Sequence, residues 1–248
     1  MFHPGTLIAL VLAAQPGLRF EVAALKPSAP GERNGGIRPA PGGERYLATN
    51  VSLRLMLTVA YRINDDQIVG GPDWMNSEKF DMNAKAAGPS TIEELHVMLQ
   101  NLLAERFKLQ FHRETKERPV YALMVDKGTL RMQPHPAQTA GEPWIEPRGG
   151  PHRLEELLMT SIHATAVPMD HLAWWLSRFT DRPVIDRTGL KGGYDFDLAF
   201  VAAPGGVDVP SASQTVYECV RPLGLKLERQ KGPVTTLVVD HVEQPSEK

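Results

Sequence analysis

Residues 119–126 read PVYALMVD and residues 233–240 read PVTTLVVD, so five of eight positions are identical at a separation of 114 residues. Two further matches lie at nearly the same separation and in the same order. They are residues 48–51 (ATNV) with 164–167 (ATAV), and residues 79–83 (KFDMN) with 193–197 (GYDFD). Three matches in the same order, at separations of 114 or 116 residues, predict an internal repeat.

Each predicted copy reads strand, helix, strand, strand, helix, strand, strand. The first copy has helices at 52–63 and 91–107, the second of which begins with a capping box at Ser90 and Glu93. The second copy has helices at 168–179 and 213–220. In each copy we expect the last two strands to be separate, joined by a hairpin over residues 114–119 and by a turn at Gly232-Pro233. The sequence therefore predicts an α+β protein of two pseudo-repeated modules, each with helices packed on an antiparallel or mixed sheet.

The domain prediction follows from the repeat and from two segments of unusual composition. Residues 6–14 (TLIALVLAA) have the length of the apolar core of a signal peptide, which predicts a signal peptide over 1–17 and a periplasmic or secreted protein. Residues 133–151 are rich in Pro and Gly and predict a linker. The first module then covers 18–132 and the second covers 152–248.

Composition excludes several classes of function. Lys and Arg number 27 against 29 Asp and Glu, so no excess positive charge favours a nucleic-acid partner. No apolar run approaches the roughly 20 residues of a transmembrane helix. The single cysteine, Cys219, excludes intrachain disulfides and is predicted to be a buried, inert thiol. No nucleophile or metal motif is present, so we expect no metal and no cofactor, and His96 and His112 are predicted to be surface residues.

Asp195 and Asp197 form the most suggestive polar pair. Residues two apart on a strand point to the same face, so their carboxylates could share a proton or hold a hard cation. Asp81 and Asn83 occupy the same places in the first copy, which favours a structural role in the common scaffold. The catalytic alternative is a hydrolase whose site uses Asp195 and Asp197 with His163 or His171.

Two tryptophan positions suggest a binding surface. Trp74 follows a turn-rich Gly-Gly-Pro segment, and Trp174 precedes Trp175 on a predicted helix, where neighbouring side chains diverge by about 100°. The other interpretation of Trp74 is a cover over the local core. We predict a ligand-binding surface in the groove between the two copies, formed by Trp74, Asp81, Trp174 and Asp195.

Several segments resemble a large paralogous family of exported, soil-associated bacterial proteins of unknown function. They are residues 20–23 (FEVA) with 26–28 (KPS), 66–72 (DQIVGGP) with Trp74, 103–109 (LAERFKL), 189–198 (GLKGGYDFDL), and 224–227 (GLKL) with 232–234 (GPV). Some members carry this region as the outer part of membrane metallopeptidase receptors of the beta-lactam-sensing type, which implies a sensing or binding module. The resemblance implies no catalytic residues. Residues 188–198 also resemble the short N-terminal domain shared by secretins and TonB-dependent receptors, which points toward the cell envelope.

These observations favour an exported, non-enzymatic binding, interaction or sensor-like protein. Its partner would be a small molecule, an envelope component or another protein, with no nucleic acid and no transmembrane span. The hydrolase around Asp195 and Asp197 is the alternative. A peptidase inhibitor is a third possibility, although no reactive-loop signature supports it.

Overall fold

The computed structural model describes residues 17–31, 35–40, 42–128, 130–135, 144–147, 152–154, 157–202 and 212–245. Residues 1–16 of the predicted signal peptide and most of the predicted linker lie outside this part of the chain. The described residues form an α+β fold, as the sequence predicts. No helix among them combines the length and apolar composition that a membrane crossing requires.

The first half contains both predicted helices in the predicted order, with two additional N-terminal strands, an additional short helix, and one long strand in place of the predicted last two. The elements are β1 (Val22–Pro27), β2 (Gly36–Pro39), β3 (Arg45–Val51), α1 (Leu53–Tyr61), β4 (Ile68–Gly70), α2 (Trp74–Ser77), β5 (Phe80–Lys85), α3 (Ile92–Arg106) and β6 (Gln110–Val125), with a short 3₁₀ helix at Asp65–Gln67.

The second half contains three short strands before its own series of helices and strands. The elements are β7 (Gln133–Pro134), β8 (Trp144–Pro147), β9 (His152–Leu154), β10 (Leu157–Val167), α4 (Met169–Ser177), β11 (Val184–Asp186), β12 (Tyr194–Ala202), α5 (Ala212–Cys219) and β13 (Leu225–His241), with a 3₁₀ helix at Arg221–Leu223.

The predicted hairpins near residues 114–119 and at Gly232-Pro233 are wrong. β6 is one strand of 16 residues and β13 is one strand of 17 residues, and each passes without a turn through the predicted break. Proline fits an extended backbone, so it does not require a turn. Gly232 serves packing instead, because a Cβ atom there would lie 2.9 Å from Ile185 Cδ1 and 3.1 Å from Val120 Cγ2.

The chain divides into two compact units. Unit 1 consists of Met1–Lys116 and Pro233–Lys248, and unit 2 consists of Glu117–Gly232. These boundaries differ from those of the predicted modules, since residues 117–132 belong to unit 2 and Pro233–Lys248 belongs to unit 1. The physical reason is that β6 and β13 are continuous, so each half of the chain contributes its last strand to both units.

Unit 1 packs helices against one face of an antiparallel sheet with the order β1-β5-β3-β2. Its core joins alternate residues of β5, including Phe80 and Met82, to one face of α3, including Leu95 and Leu99, and all four are at most 3% exposed. Burying one such side chain stabilises the fold by about 1.5–3 kcal/mol. β4 pairs in parallel with β13 at Leu237–Val239 in the same unit.

Unit 2 has a sheet with the order β7-β12-β10-β8, in which β9 also pairs with β10. Alternate residues of β12, such as Phe196 and Leu198, face a core that includes Leu172 and Leu176 of α4. β11 pairs in parallel with β6 at Tyr121–Leu123.

The capping box of α3 is shifted by one residue from its predicted position. Thr91 is the N-cap, its Oγ1 accepts a bond from the Glu94 backbone N–H (3.3 Å), and the Glu94 carboxylate accepts one from the Thr91 N–H (2.8 Å). Glu93 instead accepts a bond from the Arg62 guanidinium at 2.7 Å. With Thr91 as the N-cap, Glu94 is the residue three positions later and therefore closes the box.

Both sheets have a register shift at the same place in the sequence pattern. The pairing of β3 with β5 shifts between Ala48 and Val51, and that of β10 with β12 shifts between Ala164 and Val167. Each shift contains a residue with positive φ, Asn50 at 50° and Ala166 at 53°. The predicted repeat would place these features in register, and the repeat itself stays an interpretation.

Candidate functional site

Asp81 lies on β5 in unit 1, where its carboxylate is held by neighbours on both sides. One carboxylate oxygen accepts a bond from Ser28 Oγ (2.7 Å) and from the backbone N–H of Asn50 (2.9 Å). The hydroxyl bond and the backbone bond, with the positive charge of Lys26 nearby, lower the pKa of Asp81. The carboxylate therefore satisfies the backbone of the irregular residue Asn50.

Asp195 makes the equivalent backbone contact on β12 in unit 2. Its carboxylate accepts a bond from the backbone N–H of Ala166 (2.7 Å), and both of its oxygens lie 3.0 Å from Nδ1 of His135. Partial desolvation acts to raise the pKa of Asp195, but the Ala166 bond and the attraction of His135 outweigh it and lower that pKa. Both aspartates thus bond the N–H of the positive-φ residue in the neighbouring strand.

Asp197 forms a different contact from that of Asp195. His163 is its direct partner across the β10–β12 pair, and His163 Nδ1 lies 2.9 Å from Asp197 Oδ1. The side chain of Asp197 is 59% exposed and that of His163 is 34% exposed. The structure therefore brings His163 together with the predicted pair of aspartates, on the solvent-facing side of the sheet.

His171 is placed elsewhere in unit 2. It lies on α4, where the residue is buried and its ring meets Trp174 edge to face at 5.4 Å. Trp174 is half-buried, and the next residue, Trp175, packs against the hydrophobic core and contacts Phe179 at 4.8 Å. The helix thus directs one of its two adjacent tryptophans toward the core, as the helical geometry predicts.

Trp74 begins helix α2 in unit 1. Its ring is half-buried and stacks on Phe107, with ring centroids 6.2 Å apart and an angle of 18° between the planes. This contact fits the interpretation of Trp74 as a cover over the core of unit 1. Among the predicted ligand residues, Trp74 and Asp81 belong to unit 1 and Trp174 and Asp195 to unit 2, and their role in binding stays a prediction.

Sequence reasoning missed a buried histidine in unit 1. His96, predicted to be a surface residue, is 4% exposed, and its Nε2 lies 3.1 Å from the hydroxyl oxygen of Tyr46. Burial, with the nearby charge of Arg62, lowers the pKa of His96 to about 3 and burial raises that of Tyr46. A sequence signal existed, because His96 follows Ile92 by four residues and therefore shares its helical face.

Four other residues have partners or surroundings that the structure defines. Ser28 and His135 were not predicted to contact the aspartates, because each is distant from its partner along the chain. Cys219 is buried as predicted, and burial raises the pKa of its thiol to about 12. His112, also predicted to lie at the surface, is half-buried and contacts Asp240 with Nδ1 at 2.9 Å.

No group of three or more His, Cys, Asp or Glu side chains within the described ranges has an arrangement that could hold a metal ion. Unit 2 has two His–Asp contacts, His135 with Asp195 and His163 with Asp197, and in each the carboxylate can orient an imidazole ring.

A protein-family model described as "Protein of unknown function (DUF3738)" matches residues 54–242, which is most of the chain. Neither the curated proteins nor the solved structures contain a match to this sequence.

Proposed function

We propose that this chain, which belongs to the DUF3738 family of proteins of unknown function, is an exported, non-enzymatic binding or sensor-like protein. The resemblance to exported proteins and to the outer part of receptors supports the proposal. Its ligand is a small molecule, an envelope component or another protein.

The observation that carries the proposal is the structural role of Asp195, which accepts a hydrogen bond from the backbone of a neighbouring strand. Its carboxylate bonds the backbone N–H of Ala166, as Asp81 bonds that of Asn50. Both bonds lower the pKa of the aspartate concerned, so each carboxylate is ionised at neutral pH. A general acid needs a raised pKa near the working pH, which is the opposite shift.

Cys219 also supports a non-enzymatic role. A catalytic cysteine acts as its thiolate, which an electropositive and partly exposed environment favours. Cys219 is buried, its thiol lies 3.2 Å from the Val216 carbonyl oxygen, and its pKa is raised to about 12. The thiol is therefore protonated at neutral pH and is shielded from a substrate.

The test is a binding and hydrolysis screen on the whole chain. Amino acids, short peptides, sugars and cell-wall fragments are added singly, and thermal shift and hydrolysis are measured on the same samples. A true ligand raises the melting temperature in proportion to ln(1 + [L]/Kd), without turnover. Turnover of any compound in the panel, with no compound stabilising the protein, would refute the proposal.

Trp74→Ala and Trp174→Ala then locate the ligand surface. We expect each variant to remain folded and to lose at least about fivefold in affinity for the compound found, since truncation of an aromatic anchor costs more than about 1 kcal/mol. Leu55→Ala is the control, because Leu55 is an exposed residue of α1 outside the predicted surface. Unchanged affinity in both tryptophan variants would remove them from the predicted site.

The hydrolase alternative has one specific observation in its favour. A carboxylate that orients an imidazole is the arrangement that prepares a histidine for general base catalysis, and His163 has such a contact with Asp197 at 2.9 Å. If the screen finds hydrolysis, we expect His163→Gln to lower its rate by about 100-fold or more. His112→Gln is the matched control, because His112 makes the same 2.9 Å contact with Asp240 in unit 1.

A further inference from the structure

Asp81 and Asp195 each bond the backbone N–H of a positive-φ residue, and each also contacts a side chain that follows a neighbouring strand. The contacting residue differs between the two units. In unit 1, Asp81 is paired with Lys26 of β1, and Ser28 lies two residues further along. The backbone N–H of Ser28 donates to the Lys79 carbonyl oxygen (2.9 Å), while its hydroxyl donates to Asp81 (2.7 Å).

Unit 2 repeats this geometry with a histidine. Asp195 is paired with Gln133 of β7, and His135 lies two residues further along. The backbone N–H of His135 donates to the Gly193 carbonyl oxygen (2.9 Å), while its Nδ1 lies 3.0 Å from the carboxylate of Asp195. The residue that ties the strand to the aspartate is thus Ser28 in one unit and His135 in the other.

A serine hydroxyl does not titrate in the physiological range, whereas an imidazole changes its charge there, at an ordinary pKa of about 6.5. We propose that unit 2 has a proton-sensitive link between strands β7 and β12, and that the corresponding link between β1 and β5 in unit 1 is insensitive to protons.

The link bears on β7 because this strand is short and, among the described residues, lies at one end of its sheet. It consists of Gln133 and Pro134, and proline has no N–H to donate to the ladder. The side-chain contact of His135 adds to the pairing of β7 with β12.

The surrounding charges give the direction of the response. Asp195 faces His135 from β12, and a second histidine, His163 of β10, also acts on Asp195 electrostatically while it contacts Asp197. Protonation of the His135 ring turns its contact with Asp195 into a charge-assisted bond, which is stronger than a neutral one. The link therefore tightens when His135 is protonated, and it weakens once Asp195 itself is protonated.

The first test follows the His135 ring by NMR in the full chain, with His135→Ser used to assign its signal. In Asp195→Asn, the Asn oxygen can still accept the Ala166 bond, but the negative charge is gone. We expect the titration midpoint of His135 to fall in this variant, because an adjacent carboxylate favours the protonated ring. Equal midpoints in the two proteins would overturn the proposal.

The second test compares the backbone amides of His135 and Ser28, which occupy matching positions. After correction for intrinsic exchange rates, we expect the His135 amide to be more protected at pH 5.5 than at pH 7.5, because protonation of the ring strengthens its bond to Asp195. The Ser28 amide should show no such gain. His135→Ser should abolish the response in unit 2, and Ser28→His should create one in unit 1. A pH response that survives in His135→Ser, or its absence in the natural chain, refutes the inference and leaves the proposed binding function untouched.

Discussion

Acid should destabilise unit 1 through the buried histidine of helix α3. His96 is 4% exposed and its ring contacts the Tyr46 hydroxyl, and burial lowers its pKa to about 3. In the unfolded chain the same ring has an ordinary pKa of about 6.5. Since the folded pKa is the lower one, the unfolded state binds more protons between these two values. The stability that neutral His96 contributes to unit 1 is therefore fully present above about pH 6.5, and it is lost progressively as pH falls toward 3.

At moderate pH, the size of this loss of stability depends only on the pKa of the histidine in the unfolded chain. At pH 5 an unfolded histidine is almost fully protonated while His96 stays neutral, so the free energy of unfolding falls by about 2 kcal/mol relative to pH 8. This value does not change for any folded pKa well below 5. At pH 3 the loss approaches its limit of about 5 kcal/mol, which is a large part of the stability of a typical domain.

The assay is urea unfolding at pH 8 and pH 5, with pulsed hydrogen exchange used to follow the peptides of α3. His96→Leu removes the titrating group and should abolish about 2 kcal/mol of the pH difference in unit 1. The variant leaves the Tyr46 hydroxyl buried without its partner, which costs about 1–3 kcal/mol at both pH values. Tyr46→Phe combined with His96→Leu removes that cost and keeps the flat pH profile.

His163→Gln is the control for the same assay, because His163 is partly exposed in unit 2 and its loss should leave the pH response of α3 unchanged. If His96→Leu loses as much stability between pH 8 and pH 5 as the natural chain does, the reasoning from burial is refuted.

Three further predictions concern single positions. Asp81→Asn should lower stability by about 1–2 kcal/mol at pH 7, because charge-assisted bonds become neutral ones. Since the folded pKa of Asp81 is lowered, this difference is present above about pH 4 and should vanish in melting curves as pH falls through the folded value. Gly232→Ala should cost about 1–3 kcal/mol in urea unfolding, because the new methyl group meets Val120 and Ile185; adding Val120→Ala should recover part of this loss. Cys219 should react with iodoacetamide at pH 8 only after urea is added, and labelling at the rate of glutathione without urea would contradict its burial.

Local sequence patterns predicted an element well where all the residues of the pattern belong to that element. The helix predicted at 91–107 corresponds to α3 (Ile92–Arg106), and the helix predicted at 52–63 corresponds to α1 (Leu53–Tyr61). The capping box was predicted one residue too early, because both Ser90 and Thr91 can cap a helix and each is followed three residues later by a glutamate. The surface prediction for His96 was wrong, because His96 shares the buried helical face of Ile92.

The aspartates of the candidate site contact residues that are far from them in the sequence, and the sequence does not reveal these contacts. Asp81 and Asp195 were identified from the sequence, and a structural role was the favoured interpretation. The bonds that give them this role come from the backbone of another strand and from Ser28 and His135, which lie 53 and 60 residues away. A carboxylate can satisfy a strained backbone or serve as a reactive group, and only the neighbours in space distinguish the two.

The amino-acid sequence by itself determined the α+β class and the approximate bounds of four helices, because these depend on periodicity and on interactions within a few residues. Only the tertiary structure decided that β6 and β13 are each one continuous strand. Proline and glycine permit a turn without requiring one, and whether a strand continues depends on the hydrogen bonds and packing that distant strands provide.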